Sequence, residues 1–256
     1  MIRAVLLVLS VAACGRWGFD AQANDSRGSV GKGKDAGPCG GGTTAPDPVT
    51  ISGHTIEVTD FSGGTAPEPS VNIEVHAVAD DSLLGALTSD ASDGAYSIAI
   101  ATGGVPPMVY IKYSKAGLVD IYEYPAVALD RDYGYDPNVF SGGSLGAVYS
   151  AAGVSQQGGT STIDVQALDC TGGPLDGVVV GFSPAPGHLG YTGFGSNPYP
   201  PDAGTTWPPY THADGFNEPP GDVTITASLP GTELVMQSPV KVYAGAVTFA
   251  TVHPLR

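Results

Sequence analysis

The stretch "SVNIEVHAVA" at residues 70–79 alternates with a period of two. Val71, Ile73, Val75 and Ala77 fall on one side, and Asn72, Glu74 and His76 on the other. That is the signature of a strand with one apolar face and one wet face. "GDVTITASL" at 221–229 repeats it, setting Val223, Ile225, Ala227 and Leu229 against Thr224, Thr226 and Ser228. Shorter runs of the same kind lie at 96–100, 109–113, 163–167, 178–182 and 247–252. Turn residues separate these runs, and the chain carries 37 Gly and 22 Pro. The pattern predicts an all-β protein of antiparallel sandwiches with one wet face per sheet. One segment departs from it. In "GGSLGAVYSAAG" at 142–153, Leu145, Val148, Tyr149 and Ala152 share a helical face, which predicts a short helix joining two sandwiches in tandem.

The two halves are alike. "GGTAPEPSVNIEV" and "TGGPLDGVVVGF" both place Gly-Gly and Pro ahead of a Val-rich strand. Each half then reaches a Thr, an Asp-Gly pair (Asp93-Gly94, Asp214-Gly215) and an aromatic, Tyr96 or Phe216, leading into a strand. Asp-Gly suits a tight turn, because glycine takes positive φ and aspartate caps nearby backbone. These residues resemble the carboxypeptidase regulatory-like domain, a prealbumin-like sandwich. The match runs over about 49–128 and, more fully, 161–254, where "PPGDVTITA" and "VKVYAGAVTF" also fit. An unrelated immunoglobulin-like pair would imitate part of it. The resemblance implies non-catalytic modules that stiffen, space or present something on an exported chain.

The start of the chain reads as a targeting segment. Arg3 precedes Ala4–Ala13, which is apolar apart from Ser10 and too short for a span of about twenty residues. Val11-Ala12-Ala13-Cys14 resembles the lipobox of bacterial lipoproteins, although Val11 stands where Leu is usual. That resemblance implies cleavage before Cys14, acylation of its thiol and attachment to a membrane, the outer membrane in the absence of Asp after the cysteine. The predicted organisation is a leader at 1–13, a lipidated Cys14 with a tether at 14–48, a sandwich at 49–129, a helical linker at 130–160 and a second sandwich at 161–256. The tether is rich in Gly, Ala, Asp and Ser without apolar periodicity.

Composition excludes several classes. A formal net charge of −15 offers no footprint for a phosphate backbone, so nucleic acid is not expected as a partner. The same charge repels anionic headgroups, which leaves membrane attachment to the anchor. Cys39 and Cys170 are the pair an oxidising compartment would join, but nothing in the sequence brings them together. Without a spaced Cys/His set, no metal site and no cofactor are expected.

Gly142–Gly146 matches Gly-x-Ser-x-Gly, but an elbow with Ser144 as nucleophile needs a buried strand and an α/β sheet around it. His188, His212 and His253 are its eligible bases, with nothing to select among them. Asp130, Asp132 and Asp136 fail EF-hand spacing, since Gly134 holds the fifth position. An iron site like that of the intradiol dioxygenases would need a close His pair with neighbouring Tyr, which is missing. The segment 187–210 is longer than its counterpart in the first half and carries Tyr191, Tyr199, Trp207 and Tyr210. Either these rings present a stacking surface to a glycan or protein of the envelope, or they cover a sheet edge. The expected function is thus non-catalytic: a lipid-anchored structural or interaction module of the cell envelope.

Overall fold

The computed structural model describes residues 42–59, 64–169, 172–192, 199–200, 203–206, 211–230 and 232–253, with backbone alone described for 232–238. The first half builds β1 (Val49–His54), β2 (Ile56–Val58), β3 (Thr65–Pro67), β4 (Asn72–Ala77) and β5 (Leu83–Thr88). It continues with β6 (Ala95–Ile100), β7 (Val109–Ser114), β8 (Ile121–Tyr124), β9 (Tyr133–Gly134) and β10 (Asn138–Val139). Helix α1 (Gly142–Ala151) leads into β11 (Ser161–Ala167), β12 (Val179–Ser183), β13 (His188–Tyr191) and β14 (His212–Glu218). The chain closes with β15 (Gly221–Leu229), β16 (Thr232–Val242) and β17 (Val247–Val252).

The alternating runs form strands, and their apolar sides are buried. Val71, Ile73 and Val75 have no exposed surface, nor has Ile225. Asp93-Gly94 forms the expected turn, with Gly94 at φ 75°. Asp214-Gly215 does not; it lies inside β14. There Gly215 serves close packing, because a Cβ would meet Pro186 at 3.3 Å and the Phe182 ring at 3.5 Å.

The protein is all-β with two sandwiches, and one sheet runs through both. Its strand order is β13-β14-β11-β17-β8-β7-β4-β5. Strand β17 joins the halves, parallel to β11 on one side and to β8 on the other. Alternation along the shared strands then sends neighbouring residues into different cores. In β7, Ile111 and Tyr113 face the first core and Tyr110 the second. The first core is closed by the layers β6-β1-β9 and β10-β2-β3 together with Leu145, Val148 and Tyr149 of α1. The second is closed by β12-β15-β16, whose Val180, Val223 and Ile225 meet Ile163 and Val165 of β11. The two covering layers therefore lie on opposite faces of one sheet.

The expectation of one wet face per sheet fails where these layers overlap. Every residue of β8 and of β14 is buried, as is all of β11 except Gln166. The predicted helix at 142–152 forms as α1, but it packs into the first core instead of standing off as a spacer. Side chains reinforce the seam. The Tyr124 hydroxyl accepts from the Lys241 amide at 3.1 Å and donates to the Lys241 carbonyl at 3.2 Å. Tyr243, beyond β16, stacks on Tyr122 of β8 with centroids 4.1 Å apart.

Ile163 is fully buried at the centre of the shared sheet. Ile163→Ala should therefore lower unfolding free energy by about 3 kcal/mol, measured by urea denaturation. A loss below about 1 kcal/mol would place this strand outside the core.

Candidate functional site

A row across four consecutive shared strands carries three carboxyl groups. Register places Glu123 of β8 opposite Phe249 of β17, Phe249 opposite Asp164 of β11, and Asp164 opposite Asp214 of β14. Directly opposed residues share a face, so the three carboxyl groups line up on the side of the first core. Glu123 is 1% exposed, Asp164 and Asp214 5% each. His212 donates from Nδ1 to Asp164 Oδ1 at 2.6 Å. The Thr192 hydroxyl donates to Asp214 Oδ2 at 3.0 Å, and the Tyr133 hydroxyl to Glu123 Oε1 at 3.5 Å. Glu123 Oε2 has no hydrogen-bond partner. Gly190, next along the row, leaves room for a ring: a Cβ there would stand 2.9 Å from Tyr199 Cδ1.

Burial dominates the electrostatics. It pushes the Glu123 carboxyl up to about 8; the Asp164 charge adds to this, while the Tyr135 and Tyr133 hydroxyls pull the other way. Asp214 is raised for the same first reason and then by Asp164, against the opposing pull of His212, Thr192 and Tyr199. Away from the row, Glu218 has no exposed surface and neither oxygen is hydrogen-bonded; burial pushes it up to about 7. Burial thus favours the protonated form of each of these groups. The three carboxyl groups of the row are all buried, at 1 to 5% exposure.

The structure corrects part of the ring surface expected in 187–210. Tyr191 and Tyr199 are buried at 4% and 8% exposure and cannot be presented to a ligand. The Tyr191 hydroxyl accepts from the Val180 amide at 3.0 Å and donates to the Val180 carbonyl at 3.2 Å, tying β13 to the opposite layer. Tyr199 packs edge-on against Phe216, centroids 5.5 Å apart. Both act as covers. Trp207, Tyr210, Cys14, Cys39 and Cys170 lie outside the described residues.

The other candidates have structural partners. Ser144 is the third residue of α1, where its hydroxyl donates to the Ser141 carbonyl at 3.1 Å and its amide donates to Ser141 Oγ, the helix N-cap. His212 is engaged with Asp164, His253 lies 3.1 Å from the Leu168 carbonyl, and His188 lies beside Phe216. The acidic stretch is a backbone staple: Asp132 accepts from the Thr50 amide, Asp136 from His54 and Asp130 from Gly42. Among the described residues, no group of three or more His, Cys, Asp or Glu is placed to hold a metal ion. A cleft of about 460 Å³ opens at the seam between Gly117–Asp120, Gly142 and Tyr243–Ala246. Tyr122 also lines it, and Asp120 in its wall pairs with Lys112 at 3.4 Å.

No family model matches the sequence, and neither does any curated protein. Solved structures overlap it loosely. The Bacillus anthracis TIE protein shares 10% identity at a TM-score of 0.26, over 81% of this chain and 34% of that one, so this chain spans about a third of its length. The shaft pilin SpaA of Lactobacillus rhamnosus GG shares 12% at 0.24, over 84% and 99%. The minor pilin GBS52 of the Gram-positive pathogen Streptococcus agalactiae shares 11% at 0.26, over 82% and 95%. Superpositions this loose say nothing about function.

The raised carboxyl groups fix a pH dependence. Below their ordinary range, folded and unfolded chains are both protonated. From about pH 4.5 to 8 the unfolded chain has released protons that folded Glu123 and Glu218 still hold. Stability should therefore fall by several kcal/mol as pH rises through that window and level off above it. Melting temperatures from pH 5 to 9 check this, and Glu123→Gln should flatten the curve. A wild-type Tm that climbs with pH would contradict it.

Proposed function

We propose that this chain is a non-catalytic, lipid-anchored module of the cell envelope that works as a stiff spacer or interaction body. The seam supports this reading most. Strand β17 pairs with strands from both halves, and the Tyr124–Lys241 and Tyr122–Tyr243 contacts brace that pairing. A continuous sheet resists bending at the point where two linked domains would hinge, which suits holding a partner at a set distance. Attachment rests on the lipobox-like Val11-Ala12-Ala13-Cys14 followed by the Gly-rich tether. No described helix is long and apolar enough to cross a membrane. With Tyr191 and Tyr199 buried, contact with an envelope protein or glycan through 187–210 would fall to Trp207 and Tyr210.

Cys14→Ala should move the protein from the detergent phase to the aqueous phase on Triton X-114 partition of expressing cells. Continued partition of the variant into detergent would overturn the anchor.

A further inference from the structure

The end of the first sandwich carries an exposed apolar tip. Val105 is 67% exposed, Leu83 56% and Met108 47%, the three highest values among the described large apolar side chains. They belong to neighbouring connections at one end of the shared sheet. The Met108 carbonyl accepts from Val78, and the Ser82 carbonyl, one residue before Leu83, accepts from Ala77. The β6–β7 connection that carries Val105 is braced. The Val105 amide donates to the Thr102 carbonyl at 3.2 Å, Leu129 donates to the Pro107 carbonyl at 3.0 Å, and Pro106-Pro107 restrict the backbone.

The chain arrives at this same end. Ala45 donates to the Gly104 carbonyl at 3.1 Å, and Thr102 binds Asp47 and the Pro46 carbonyl at 2.9 and 2.7 Å. Gly42 is held on Asp130 nearby. Two of the carboxylates at this end are paired with cations, while among the described residues Asp47 and Asp80 bond only to Thr102 and Ser82. Among the described cations, Lys241 pairs with Asp81 at 2.5 Å and Arg131 with Asp130 at 2.7 Å.

From this placement we infer that the tip formed by Leu83, Val105 and Met108 rests on the lipid surface to which the chain is tethered. The inference builds on the anchored reading above. A Gly-rich segment of the length between Cys14 and Gly42 averages about 30 Å end to end as a coil. Attachment at its start therefore holds the tip at millimolar effective concentration over the bilayer, and a patch too small to bind alone becomes a second contact. The occupant is a zwitterionic bilayer, because the net charge of −15 disfavours a strongly anionic one. Contact at this end would stand the shared sheet up from the membrane and carry the cleft at Gly142 outward.

Met108 supplies the readout. The chain from Gly15 onward, with a hexahistidine tag in place of Cys14, is bound to phosphatidylcholine vesicles containing nickel-chelating lipid and exposed to hydrogen peroxide. Mass spectrometry should show Met108 sulfoxide forming about five-fold more slowly than after release with imidazole. Val105→Asp should restore the free rate without changing the melting temperature. Equal rates on and off the vesicles would overturn the tip contact, whatever the state of Cys14. Slowing in solution as protein concentration rises would overturn it in favour of a second copy of the chain. If the tagged chain is protected while native protein from envelope membranes is not, the tip contact stands and the anchored reading fails.

Discussion

Strand β17 lies parallel between β8 and β11, and the rest of the structure depends on that position. With it in place, two sandwiches that would each close on themselves share a sheet. Side chains alternate across a sheet, so the first half directs its core to one side and the second half to the other. The covering layers then overlap above and below the middle strands. Parallel pairs are normally buried on both faces, and that is the situation of β8 and β11.

Double burial explains the polar row. Asp164 and Asp214 belong to the second half but point to the first-core side of the shared sheet, a side that an isolated second sandwich would leave outside its core. Glu123, on β8, faces the first half's own core beside Ile111 and Ile121. An ionised carboxylate in such a place is costly without a partner. The fold meets that cost in two ways. His212 sits on Asp164 at 2.6 Å, while burial favours the protonated forms of Glu123 and Asp214. Proton uptake is thus linked to folding, which makes acid the stabilising direction.

Much of this architecture was legible in the sequence. The period of two located β4, β6, β7, β11, β12, β15 and β17, and the helical face at Leu145, Val148 and Tyr149 located α1. The Asp93-Gly94 turn was also correctly read. Three features were hidden for physical reasons. Parallel pairing has no local signature, since alternation says which side of a strand is buried but not which strand lies beside it. Asp214-Gly215 carries turn chemistry, yet β14 uses the glycine to admit Pro186 and Phe182. Asp164 reads as part of a wet face because what covers it comes from distant sequence, whereas its neighbour Gln166 stays partly exposed. At the candidate site, the aromatic content of 187–210 was visible, but the burial of Tyr191 and Tyr199 depended on Gly190 making room and on Val180 across the layer.

The most direct measurement of the seam is native-state hydrogen exchange after a substitution confined to one half. Ile225 is fully buried in β15, within the second core. Ile225→Ala should cost about 3 kcal/mol, roughly a hundredfold in an opening equilibrium. If the shared sheet is one cooperative unit, the amides of β7 and β8 in the first half should exchange about a hundredfold faster, matching those of β11 and β17. If only the second half accelerates while β7 and β8 keep their wild-type rates, the halves open independently and the continuous sheet is contradicted.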